Sequence, residues 1–119
     1  MFFHEFSHTF VNNLINKIDI DLYWMKKIYG YLRDDYKQQY GNAKGMISEQ
    51  IVRAVTASLV SLTDSEKASS LIEHDEKQSF ILVPHIYRLL KEEYEKKRLI
   101  YPRFSDYIEI LLNQLQYTV

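Results

Sequence analysis

The stretch Phe2-Phe3-His4-Glu5-Phe6-Ser7-His8-Thr9-Phe10-Val11-Asn12-Asn13-Leu14-Ile15 decides how the rest of the chain is read. Apolar residues recur four apart at Phe2, Phe6, Phe10 and Leu14, while Phe3, Val11 and Ile15 add apolar surface on other faces. This spacing predicts a helix from Met1 to about Ile15, enclosed by other elements. Within it, His4-Glu5-Phe6-Ser7-His8 matches the H-E-x-x-H pattern. Two imidazoles four residues apart leave one helix face a turn apart, which suits joint ligation of a single tetrahedral Zn2+. Glu5 stands about 100° round the helix, placed to take a proton from a metal-bound water without occupying a coordination position. The same two histidines also suit a buried helix in which they only hydrogen-bond to backbone.

Outward from this segment the pattern stays helical. Leu22, Met25, Ile28, Tyr29, Leu32 and Tyr36 repeat at three- and four-residue steps, predicting a helix from about 19 to 40 that Gly41 ends. Ile47, Ile51, Val55, Leu59 and Leu62 mark a third helix over about 46–62. A short helix is expected from Ser65 to Glu73 in a polar stretch. Phe80-Ile81-Leu82-Val83 before Pro84 reads either as extended chain or as a kinked helix start. Residues 85–98 suit a charged surface helix with a Tyr87/Leu90/Tyr94 stripe, and about 105–116 a last helix. The 119 residues fit one domain, 1–119, and the reading is an all-α fold of four to six helices around a central H-E-x-x-H helix. The helices of 19–40 and 46–62 are expected to flank it.

Composition narrows the function classes. With 15 basic and 16 acidic residues the chain has no electrostatic address for nucleic acid. It has no cysteine, so no disulfide and no thiolate ligand, and any metal site draws on His, Asp or Glu. No apolar run is long enough for a membrane span, and the first residues lack the form of a signal peptide. Both a cytoplasmic location and a processed export remain open.

A catalytic zinc takes a third protein ligand and keeps one position for water. The metzincin extension fails, because Val11 stands where its Gly belongs and Leu14 where its third His belongs. Glu49, near the start of the third helix, is the candidate ligand. Thr56 and Val60 continue its face through a nearly uncharged segment, so that face reads as buried, and a buried carboxylate needs a metal or a cation. Arg53, one turn on, then reads as its outer partner. A plain Glu49–Arg53 surface pair is the other reading of that spacing. Glu66, Glu73 and Glu76 are rival ligands. His74, His85, Tyr87 and Arg53 are available to stabilise an oxyanion, and His85, just after Pro84, is taken forward for that role.

Taken together, His4-Glu5-Phe6-Ser7-His8-Thr9-Phe10-Val11-Asn12 and Glu49-Gln50-Ile51-Val52-Arg53-Ala54 resemble zinc metallopeptidases of the gluzincin type. More narrowly, they resemble a family of uncharacterised bacterial proteins with a peptidase-like domain of unknown function. The resemblance implies zinc-dependent hydrolysis of a peptide or protein substrate, with His4, His8 and Glu49 as ligands and Glu5 as base. Gluzincin-like enzymes place a twisted sheet before the motif helix, whereas only Met1, Phe2 and Phe3 precede His4 here. The chain thus resembles the C-terminal helical part of such a peptidase, which implies weak or absent hydrolysis by this part alone. Apolar surface at Phe2, Phe3 and Phe6 would then favour a homo-oligomer. The competing function is a helical interaction module that self-associates and lacks a complete site.

Overall fold

The computed structural model describes residues 2–17, 43–78 and 80–118; the side chains of 2–8, 16, 43, 44 and 118 lie outside that description. Among the described residues there are five α-helices and no strand: α1 (Phe2–Lys17), α2 (Ala43–Val60), α3 (Ser65–Lys77), α4 (Val83–Leu89) and α5 (Phe104–Thr118). The all-α expectation holds. The helix expected over about 19–40 lies outside the described residues.

Each helix boundary has a local cause. Asp64 caps α3 by accepting a hydrogen bond from the Lys67 N–H at 3.0 Å, and Glu66 in the first turn suits the positive end of the helix dipole. This helix runs one turn beyond the Ser65–Glu73 read from sequence. Phe80–Leu82 forms a turn, and α4 begins at Val83 with Pro84 in its first turn, where a missing N–H costs nothing. The run Phe80–Val83 is thus neither extended chain nor a kinked helix start: three of its residues form a turn, and only Val83 opens the helix. α4 runs into a π-helical turn, Leu90–Tyr94, in which the Glu95 N–H donates to the Leu90 carbonyl at 2.8 Å. At the start of α5, Asp106 accepts from the Arg103 N–H at 3.1 Å while its own N–H donates to the Arg103 carbonyl at 3.0 Å, a reciprocal cap.

One helix is enclosed on nearly every side, and it is α2. Met46, Ile47, Ile51, Val52, Ala54 and Ala57 are fully buried, and Ser48, Glu49, Gln50 and Thr56 are buried with them. α1, α3 and α4 all pack on it. α5 contributes one stripe, Tyr107, Ile108, Leu111, Leu112 and Leu115, at the spacing of a one-sided helix. The face of α1 that joins this core carries Val11 and Ile15. The four-residue stripe that stood out in the sequence is less covered: Phe10 is 42% exposed, and Leu14 is only partly buried.

Gln50 ties the loop before α4 to α2. Its Oε1 accepts a hydrogen bond from the Leu82 N–H at 2.8 Å, with both residues fully buried. Gln50→Ala removes this acceptor and leaves a buried N–H unpaired, so a loss of about 1–3 kcal/mol is expected in urea unfolding. An unchanged midpoint would mean that the loop is held by apolar packing alone.

Candidate metal site

The expected ligands lie on α1 and α2. Residues 4 and 8 fall within α1, and ideal helix geometry sets their positions about 40° apart around its axis. On the same wheel Val11 and Ile15 lie within about 20° of position 4. Both are buried in the core cluster that holds Met46, Ile47, Ile51 and Val52 of α2. The backbone register therefore puts positions 4 and 8 on the sector of α1 that joins the core. Position 10 falls about 240° from position 4. Phe10 lines a separate groove of about 310 Å³ with Val55, Leu59, Tyr94 and Phe104, so that groove opens on a different side of α1.

On α2, Glu49 is 4% exposed. Its Oε1 accepts from Arg53 Nε at 2.9 Å. The Arg53 Nη1 donates to Asp75 Oδ1 of α3 at 2.8 Å, and the guanidinium lies over the Phe80 ring, 4.1 Å from its centroid. Asp75 is 5% exposed. The Arg53 guanidinium is thus shared by two buried carboxylates and held from a third direction by an aromatic face. An i,i+4 pair on a solvated surface would show none of this enclosure.

Burial pushes the Asp75 carboxyl above its usual range, and the adjacent Arg53 guanidinium only partly offsets that. An acid whose folded pKa exceeds the unfolded value, 3.8 here, stabilises the fold fully below that value. The contribution is lost as pH rises through the folded pKa. Asp75→Asn lacks this titration. Its stability relative to the parent chain is therefore expected to be highest near neutrality and to fall as the pH is lowered to about 4. Urea unfolding at the two pH values reads the sign, and the opposite trend would show that the ion pair outweighs desolvation.

The other residues singled out in the sequence fall as follows. Glu66, Glu73, Glu76 and His74 are exposed on α3, so their solvation needs no metal. His85 is partly buried in the first turn of α4, and Tyr87, two residues on, is partly buried too; neither belongs to the Glu49–Arg53–Asp75 chain. Sequence reasoning passed over Asp75 because it lies in a polar stretch. Its signal was its spacing from Ala68 and Ile72, seven and three residues earlier, which puts it on the only apolar stripe of α3.

Among the described residues no three His, Asp or Glu side chains converge as a metal cage. The side chains of His4, Glu5 and His8 lie outside the description, so Glu49 is the expected ligand whose side chain is described. Those surroundings fit the role by chemistry. Zinc takes imidazole nitrogen and carboxylate oxygen, and its carboxylate ligands are themselves hydrogen-bonded, as Glu49 is by Arg53. No curated protein and no solved structure matches the chain. The model of a domain of unknown function, DUF4932, matches residues 1–113, which takes in α1, α2 and the Glu49–Arg53–Asp75 ion pairs, and the chain belongs to that family.

Proposed function

We propose that the chain carries the zinc site of a gluzincin-like metallopeptidase, with His4, His8 and Glu49 as ligands and Glu5 as general base. The observation that carries this reading is a buried carboxylate, Glu49, on the helix against which the H-E-x-x-H helix packs. Glu49 is already oriented there by the Arg53 guanidinium, which donates to its Oε1 at 2.9 Å, and zinc-ligating carboxylates are themselves held by hydrogen bonds of this kind. Bound zinc would supply a polarised water and an electrophile for the scissile carbonyl. Glu5 would serve as the proton acceptor for that water and as the donor to the leaving amine. His85 is the candidate donor to the oxyanion.

The substrate class that follows is a peptide or protein. None of the described helices is long and apolar enough to cross a membrane. Self-association, with or without catalysis, rests in this reading on the apolar residues Phe2, Phe3 and Phe6 at the start of α1.

The third ligand is tested by chelator-competition titration of zinc. Glu49→Gln is expected to weaken binding by about 10²-fold or more, since a neutral amide oxygen is a poor substitute for a carboxylate on zinc. Unchanged affinity in that variant, alongside loss in His8→Ala, would place the third ligand elsewhere.

A further inference from the structure

We propose that Asp75 is a positioning residue for the metal site, acting through Arg53 to hold the Glu49 carboxylate in its ligating orientation. The proposal rests on the zinc reading above and extends the site to a third helix.

Three features set Asp75 apart from an incidental ion-pair partner. The first is its cost. A carboxylate in the last turn of a helix faces the negative end of the dipole, and burial disfavours its charge further. An apolar residue would attach α3 at least as well, because buried ion pairs seldom out-stabilise apolar packing. The second is rigidity. The Asp75 carbonyl accepts from the N–H groups of Gln78 at 3.1 Å and Phe80 at 3.0 Å, so the backbone that presents its side chain is fixed on both sides of the helix end.

The third is the geometry at Arg53. Nε faces Glu49 and Nη1 faces Asp75, so the two carboxylates use different edges of one planar fork, and the Phe80 ring covers its face. Rotation of the guanidinium would break the Asp75 contact and the ring contact together. The plane is therefore set by α3 and the turn after it, and the direction of the Nε–H donated to Glu49 is set with it. A lysine would carry the charge but not this two-edged fork. Outer partners that orient a ligand in this way typically change metal affinity ~10–100-fold when removed.

The test measures zinc affinity by chelator competition in the parent chain, Asp75→Asn, Glu49→Gln and the double variant, with thermal unfolding of the metal-free proteins in parallel. Asp75→Asn is expected to weaken zinc binding ~10–100-fold when Glu49 is present and to have little effect when Glu49 is already Gln. A merely structural role would give the same loss in both backgrounds. Arg53→Lys, which keeps the charge, is expected to reproduce the loss and supplies the answer should Asp75→Asn fail to fold. Equal losses in both backgrounds, or full affinity in both Asp75→Asn and Arg53→Lys, would overturn the role of Asp75 and leave the zinc reading standing. A parent chain that binds no zinc would overturn both.

Discussion

Glu5→Gln is expected to leave zinc bound at the parent stoichiometry and to slow whatever peptide hydrolysis the parent chain performs by ~10²–10⁴-fold, the usual contribution of a positioned general base. The amide is nearly isosteric with the carboxylate but cannot accept the water proton. Position 5 lies about 100° from position 4 and about 60° from position 8 on the α1 wheel, next to both ligand positions without sharing their direction. The result separates base from ligand. Hydrolysis of an unfolded protein substrate and zinc content should be read on the same preparation. Loss of zinc in this variant would make Glu5 a ligand, and retention of hydrolysis would remove it from the chemistry.

Arg53→Met carries the largest expected effect on stability. Removing the guanidinium leaves Glu49 and Asp75 buried without the cation they share. Breaking a buried pair by deleting one partner typically costs 3–5 kcal/mol. The Arg53 side chain is 26% exposed, so water screens part of the charge and a value of about 3 kcal/mol is expected. For a chain of this length that lowers the melting temperature by about 10 °C. Methionine keeps much of the contact with Phe80, so the loss reports charge more than packing. Adding Glu49→Gln and Asp75→Asn to Arg53→Met should restore most of the stability, because no buried charge is then left. A drop below about 1 kcal/mol in Arg53→Met would place the cluster among solvated surface pairs.

Much of the architecture can be read from residue spacing, and the exceptions have definite causes. α5 announces itself because Tyr107, Ile108, Leu111, Leu112 and Leu115 recur at three- and four-residue steps among Ser105, Asp106, Glu109, Asn113, Gln114 and Gln116. α2 is legible as buried from the near absence of charge between Gln50 and Thr63. α1 is harder because it is apolar on several faces. The Phe10–Leu14 stripe is the longer run, yet the covered face is that of Val11 and Ile15. Shape decides it: compact branched side chains fit against the close surface of α2, while Phe10 reaches outward to Phe104, 6.2 Å between ring centres. The π-helical turn at Leu90–Tyr94 has no signature in local propensity, since one extra residue per turn is a matter of how the helix meets its neighbours. At the site, the burial of Glu49 follows from its neighbours along the chain. Asp75 reaches it only through the fold, 22 residues beyond Arg53, so sequence shows its place on a stripe but not its partner.

The proposed zinc between α1 and α2 is open to X-ray absorption at the zinc edge, measured on chain purified without chelator. One zinc per chain is expected, with two imidazole nitrogens at about 2.0–2.1 Å and carboxylate and water oxygens at about 2.0–2.2 Å; His8→Ala should abolish the signal. A parent chain free of zinc after saturation and dialysis, or zinc retained with an unchanged spectrum in His8→Ala, would contradict it.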